Sequence, residues 1–252
     1  MTRRLRVAQK VVGIALSVPG TVVFGGYVRD VTVRNSTSFN DVDLCFSTKD
    51  NMRMFVNIVK ISMNAKVAKE TEQVYPNTMC VVRLKVPLPF NKYLQVDCVY
   101  TKHSCADFSC NMIRQDAHSL RVCKGHSSYF LHEIVSACRR REFFALPPKT
   151  MMCDRAYVHH TINAIRRACQ LVNSSWTMAV DAQRPSFVVR RGSGEQCNIC
   201  HGDIGSGERA FVTKCDHAFH VGCVTKWLES TVKSAHGANL GCPVCRRERC
   251  YV

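Results

Sequence analysis

Between residues 197 and 245, six cysteines and two histidines stand at metal-ligand spacing. The run is Cys197-Asn-Ile-Cys200, fourteen residues, Cys215-Asp-His217-Ala-Phe-His220-Val-Gly-Cys223, eighteen residues, then Cys242-Pro-Val-Cys245. Zinc takes four thiolate or imidazole donors in a tetrahedron, and a two-residue gap lets one tight knuckle offer both donors to one ion. Eight donors suffice for two zinc ions. Four protein donors per ion leave no open position for water or substrate, so the metal is expected to be structural and not hydrolytic. About 50 residues cannot be stable on apolar burial alone, whereas zinc contributes on the order of 10 kcal/mol to folding.

The donor order Cys-Cys-Cys-His-His-Cys-Cys-Cys resembles a RING finger of the two-histidine type. A PHD finger would carry an aromatic just before the last cysteine pair, where this chain has Leu240 and Gly241. The resemblance implies a cross-brace, with Cys197, Cys200, His220 and Cys223 on one zinc and Cys215, His217, Cys242 and Cys245 on the other. It also implies contact with a ubiquitin-conjugating enzyme through Ile199, Trp227 and Pro243, with Arg246 at the family's linchpin position. Such a module forms no covalent bond itself; it holds a thioester-charged partner in its reactive arrangement. At the residue level two alternatives stay open. Trp227 shares a helix face with Cys223 as a core aromatic would, and Arg246 belongs to a basic run ending at Arg249 that solvent alone would satisfy.

A second site lies near the N-terminus. Thr21-Val-Val-Phe24 reads as a β-branched strand entering Gly25-Gly26-Tyr27-Val28-Arg29-Asp30, and Asp41-Val-Asp43-Leu44 opens another apolar run. Carboxylates at i and i+2 on a strand share a face, and such a pair suits Mg²⁺, which prefers hard oxygen ligands shared with substrate phosphates. Asp97, within the strand-like Tyr93-Leu-Gln-Val-Asp-Cys-Val-Tyr100, is a third candidate. It is reached after an expected helix over 51–66 and a strand over 78–86. The glycine pair would let backbone N–H groups approach a triphosphate closely.

Together these motifs resemble the nucleotidyltransferase superfamily, most closely its CCA-adding and bacterial poly(A) polymerase branch. The resemblance covers about residues 1–100 and implies that Asp41, Asp43 and Asp97 hold the metals while Gly25 and Gly26 face a nucleoside triphosphate. The chain departs from that branch between Asp30 and Asp41, and the branch's nucleotide-selecting arginine motif is missing. An alternative keeps the same fold as an inactive scaffold, with Asp41 capping a turn in Ser38-Phe-Asn-Asp41 and Asp43 an exposed strand residue.

The middle of the chain has helical periodicity over 129–144 and 156–172. Arg139, Arg140, Arg141, Arg166 and Arg167, with His159 and His160, could meet nucleic-acid phosphates or simply form solvated faces, since no stacking aromatics are interleaved. Cys105, Cys110, Cys123 and His126 form a looser candidate zinc set, against which stands the reading of reduced cysteines packed as small hydrophobes. Residues 183–196, with Pro185 and a Gly-Ser-Gly run, read as a linker.

Composition limits the rest. The 252 residues carry 35 Lys plus Arg against 19 Asp plus Glu, for a formal charge of +16, and 46% are hydrophobic, enough for a real core. The most apolar run, Val11 to Phe24, is broken by Gly13, Pro19 and Gly20 and is too short to span a membrane. It follows four basic residues as a secretory signal would, but no small-x-small cleavage site follows. Metal-spaced cysteines among the 16 present favour a reducing compartment, hence cytoplasm or nucleus, in a eukaryotic cell or a virus infecting one.

The expected architecture is therefore α+β. A nucleotidyltransferase-like mixed sheet with appended helices (1–182, core about 1–100) precedes a small zinc-stabilised cross-brace RING domain (197–252). The leading expectation is a RING-type ubiquitin ligase acting with a conjugating enzyme and ubiquitin. The alternative is a Mg²⁺-dependent nucleotidyltransferase for RNA ends or a small acceptor, with the RING as docking module. A zinc-stabilised adaptor bridging nucleic acid and protein is a third.

Overall fold

The computed structural model describes residues 1–75, 78–101, 106–123, 129–146, 154–180, 187–232 and 241–247. Two compact units emerge. The first comprises Met1–Ala106 and Cys110–Arg139, the second Asp107–Ser109 and Arg140–Val252.

The first unit opens with helix α1 (Arg3–Ser17), whose N-cap Thr2 accepts a hydrogen bond from the Leu5 N–H at 3.2 Å. This amphipathic helix buries Leu5, Ala8, Val11, Val12 and Ala15 and takes in the first part of the apolar run, up to Ser17. Strand β1 (Thr21–Phe24) leads into a short helix α2 (Gly25–Tyr27) that widens into π-helical turns over Val28–Val33. Next come β2 (Asp41–Phe46) and helix α3 (Lys49–Met63), capped by Thr48 and ended by Asn64 in the left-handed region at φ 51°. Strands β3 (Lys66–Tyr75), β4 (Thr78–Pro87), β5 (Tyr93–Thr101), β6 (Ile113–Gln115) and β7 (Leu120–Val122) follow, then helix α4 (Leu131–Arg140).

The strands form one seven-stranded sheet in the order β3-β4-β5-β2-β1-β6-β7, in which β2 and β5 run parallel and the other neighbours antiparallel. Strand periodicity divides its central strands into two unlike faces. Val42, Leu44, Phe46, Val82, Leu84, Val96 and Cys98 alternate onto one face and are buried, as are Met52, Phe55 and Val59 of α3; Phe46 and Phe55 have ring centroids 5.3 Å apart. The opposite face carries Asp41, Asp43, Gln95, Asp97 and Arg83, all only part-buried.

The second unit contains β8 (Glu142–Phe143), helix α5 (Asp154–Asn173), β9 (Thr177–Met178), β10 (Val188–Arg191), β11 (Arg209–Val212), β12 (Ala218–His220) and helix α6 (Val221–Val232). Strands β8 and β9 pair in parallel, and Phe143 packs edge-on against Phe108 with centroids 5.2 Å apart. Strands β10, β11 and β12 form an antiparallel sheet, with Phe187 stacked on Phe211 at 5.0 Å.

Several expected boundaries move. The helix expected to continue to Phe144 ends at Arg140, because Arg141 turns left-handed at φ 60° and β8 begins. The segment read as a linker contains β10, and the units divide near residue 140, so α5 belongs with the C-terminal unit. Gly192 explains why its composition misleads: a Cβ there would lie 2.4 Å from the carbonyl oxygens of Ile204 and Gly205, so this glycine serves close packing. Among the described residues, no helix is long and apolar enough to cross a membrane.

Candidate functional sites

In the C-terminal unit, the donor atoms of Cys197, Cys200, His220 and Cys223 lie within 4.8 Å of one another, and so do those of Cys215, His217, Cys242 and Cys245. Two tight knuckles build these groups. The His201 N–H donates to the Cys197 carbonyl at 2.8 Å and the Arg246 N–H to the Cys242 carbonyl at 2.9 Å. Each knuckle is closed by the residue after its second cysteine, held left-handed at φ 59° and 58° respectively. Both histidines turn Nδ1 toward sulfur: His220 to Cys200 Sγ at 3.3 Å, and His217 to Cys215 Sγ at 3.4 Å and Cys242 Sγ at 3.6 Å. His220 Nε2 faces the Asp203 carbonyl at 3.3 Å and Glu208 at 3.4 Å, the outer partner that fixes a ligating imidazole. Spacing between cysteines carries no trace of Asp203 or Glu208.

Hydrogen bonding lowers one thiol in each group. Burial alone would raise the Cys197 thiol, but the backbone N–H groups of Cys200, His220 and Ile199 outweigh it and bring the thiol down to about 6. Burial likewise works against ionisation of Cys215, yet hydrogen bonds from His217 and Thr213 bring it to about 6. Cys223 is pushed up to about 12 by burial and by the neighbouring Cys200 and Cys197. Three sulfurs and one imidazole per group, mutually close, match tetrahedral zinc in donor chemistry.

Residues 195–246 match the family described as "Ring finger domain". This segment is a RING finger. It resembles E3 ubiquitin-protein ligase RNF126 of Homo sapiens, 43% identical over 56 residues, and E3 ubiquitin-protein ligase ATL76 of Arabidopsis thaliana, 45% identical over 56 residues. Each match covers 22% of this chain, and the chain spans only 15% and 21% of those two proteins. Among solved structures, a "tRNA-processing enzyme (apo form I)" aligns with TM-score 0.42 and 14% identity, over 71% of this chain and 45% of that one. The Bacillus stearothermophilus CCA-adding enzyme in complex with CTP aligns with TM-score 0.37 and 18% identity, over 71% and 42%.

Around the RING finger's metal groups, Ile199, Trp227 and Pro243 are half-buried and Arg246 is exposed. The inward face of α6 is supplied by Val224 and Leu228, both fully buried.

In the first unit, carboxylate oxygens of Asp41, Asp43 and Asp97 lie within 4.8 Å of one another. Strand register makes this cluster: Asp43 is opposite Phe24 on one side and Asp97 on the other, and Asp97 is opposite Arg83. Directly opposed residues share a sheet face, so the carboxylates converge on the open side. The turn before β2 is closed by Ser36, whose Oγ accepts the Ser38 N–H at 3.1 Å. Asp41 is the first residue of β2. Gly25 has φ +71°, and a Cβ on it would lie 2.3 Å from Asp43 Oδ2; Gly26 follows within α2.

Three arginines from separate elements bear on the cluster. Arg83 and Arg4 act on Asp41, and Arg29 and Arg83 on Asp43, yet burial and mutual repulsion win. Asp41 is held above the usual carboxylate range by burial and Asp97, and Asp43 is pushed up to about 8 by burial, Asp41 and Asp97. A hard divalent cation would relieve this concentration of negative charge, and the three oxygen donors fit Mg²⁺.

The looser cysteine set is described only in part. Cys110 and Cys123 are individually buried, while Cys105 and His126 lie outside the described residues. Of the basic positions, Arg140 pairs with Glu142 at 2.8 Å, Arg166 with Glu229 at 3.4 Å and Arg167 with Asp107 at 2.9 Å.

Proposed function

We propose that this chain is a RING-type ubiquitin ligase whose C-terminal unit holds two structural zinc ions and positions a ubiquitin-charged conjugating enzyme. The observation that carries this reading is the pair of Cys₃His groups in a segment related to named E3 ligases. Ile199, Trp227 and Pro243 would form the apolar contact and Arg246 the polar one. Zinc fixes the fold; the rate enhancement comes from orienting the charged partner for attack. Ubiquitin discharge and self-ubiquitination with a panel of conjugating enzymes test it. Activity in the intact chain, lost in Trp227→Ala and in Cys200→Ser, is the expected result. Silence across the panel with zinc bound would overturn it.

The aspartate cluster favours a second activity, Mg²⁺-dependent nucleotidyl transfer by the first unit. An acceptor hydroxyl oxygen would form a bond to the α-phosphorus as the bond to the bridging oxygen breaks. Pyrophosphate leaves with that electron pair, and the hydroxyl proton passes to a carboxylate or water. Divalent cations, when bound, would supply charge neutralisation at the phosphates and lower the acceptor's pKa. Asp41, Asp43 and Asp97 would hold them, with Gly25 and Gly26 facing the nucleotide. Incorporation of labelled nucleotide, lost in Asp41→Ala, is the expected outcome; no incorporation from any of the four nucleoside triphosphates across RNA and small acceptors would remove it. A nucleic-acid acceptor would also make binding salt-sensitive.

A further inference from the structure

Arg83 Nε donates to Asp97 Oδ1 and Arg83 Nη2 to Asp97 Oδ2, both at 2.8 Å, so one guanidinium engages both oxygens of the third carboxylate. The partners differ in exposure: the Asp97 side chain is 14% accessible and that of Arg83 42%. Gln95 Nε2 also reaches Asp97 Oδ2, at 3.4 Å, and can keep the carboxylate oriented without the arginine. Asp97 Oδ1 accepts from Arg83 Nε and retains a further lone pair for a cation, so at that oxygen guanidinium and cation compete by charge repulsion and not by blocked space. Among the described residues, Arg83 Nη1 has no hydrogen-bond partner, and Lys69 stands opposite Arg83 on the neighbouring strand, extending positive charge outward.

We propose that Arg83 is a nucleotide-positioning residue held in reserve by Asp97: a divalent cation at the three aspartates loosens the Arg83–Asp97 pair, and the released guanidinium grips the phosphates of a nucleoside triphosphate. The inference rests on the nucleotidyl-transfer reading and adds an order to it, cation before triphosphate. Planar guanidinium suits this exchange because its fork matches carboxylate and phosphate alike. A purely structural pair at this exposure would be worth little and would be indifferent to ligand.

The test is binding to the whole 252-residue, zinc-loaded chain, with Mn²⁺ titrated first by electron paramagnetic resonance and ATP then titrated at saturating Mn²⁺. In Arg83→Gln, removal of the adjacent positive charge should tighten Mn²⁺ by about tenfold or more. ATP should weaken by about tenfold or more, the scale of a lost hydrogen bond between charged groups. Arg83→Lys should leave Mn²⁺ within about threefold of wild type, because charge is kept, and still weaken ATP, because the fork is lost. This variant covers the case in which Arg83→Gln does not fold. Opposite shifts for metal and nucleotide are a signature that loss of a structural salt bridge does not produce. Unchanged or weaker Mn²⁺ binding in folded Arg83→Gln, or unchanged ATP binding in either variant, would overturn the proposal while leaving the metal site standing. Absence of saturable Mn²⁺ binding in the wild type, or binding unaffected by Asp43→Asn, would remove the nucleotidyl-transfer reading itself, and Arg83's role with it.

Discussion

A Cβ on Gly25 would stand 2.3 Å from Oδ2 of Asp43, and Gly25 itself sits at φ +71°. The glycine thus meets two separate demands: a left-handed backbone where β1 becomes α2, and space for a carboxylate pressed against that turn. Gly25→Ala should destabilise the first unit by about 1–3 kcal/mol, the usual scale of such strain. It should also displace Asp43 from Asp41 and Asp97, so divalent-cation binding should fall more than the melting temperature alone implies. Thermal melting and Mn²⁺ titration of one preparation check this; unaltered metal affinity would mean that Asp43 is not positioned by the turn.

Helix α5 packs on α6 and β10, so the RING finger is part of a larger unit that begins near residue 140. Ile165 of α5 is fully buried. Ile165→Ala should cost about 2–5 kcal/mol, the range for truncating a buried isoleucine. Because zinc binding and folding are linked, zinc transfer to a chromogenic chelator should accelerate, although residue 165 lies outside the ligand-bearing segment. An unchanged transfer rate would make α5 an independent appendage.

What could be read from the sequence was local chemistry. Cysteine pairs two residues apart announce their knuckles because one short turn makes them. Asp41 and Asp43 announce a shared face because strand alternation alone puts them there. Asp97 is legible through its strand-like surroundings, and the parallel register of β2 and β5 is what brings it opposite Asp43. Arg83 carries no comparable signal, because its place depends on the pairing of β4 with β5, a tertiary fact. The expected linker failed for a related reason. Gly-Ser-Gly suggests freedom, yet the Gly194 N–H donates to the Ile204 carbonyl and Gly192 packs against residues 204 and 205, a closeness that only the folded chain creates.

Among the described residues, the buried Nε2 of His160 on α5 has no hydrogen-bond partner. Burial pushes its pKa below the usual 6.5, with Asp107 opposing the shift and Arg167 adding to it. The fold therefore prefers neutral imidazole. The stability gained from keeping it neutral is present above pH 6.5 and is lost as pH falls from 6.5 through the lowered folded value, because the unfolded chain binds the proton first. Zinc-loaded wild type should lose more melting temperature between pH 7.5 and 5.5 than His160→Leu. Both proteins also share any acid lability of the zinc ligands, so only the difference between them counts; equal losses would show that His160 does not sense pH.

Arg246 allows fold and activity to be separated in the RING finger. Its backbone closes the second knuckle at φ +58°, a conformation that costs an L-residue about 1–2 kcal/mol and glycine almost nothing. Glycine also gains freedom in the unfolded chain, worth about 0.4–1 kcal/mol against the fold. The two effects nearly cancel, so Arg246→Gly should keep its zinc and stay within about 1 kcal/mol of wild-type stability. Its exposed side chain is then all that is removed. If that guanidinium bonds to the charged conjugating enzyme, ubiquitin discharge should fall by about tenfold or more, the scale of one charge-assisted hydrogen bond. Full discharge activity in this variant would assign Arg246 to closing the knuckle and leave the partner contact to Ile199, Trp227 and Pro243.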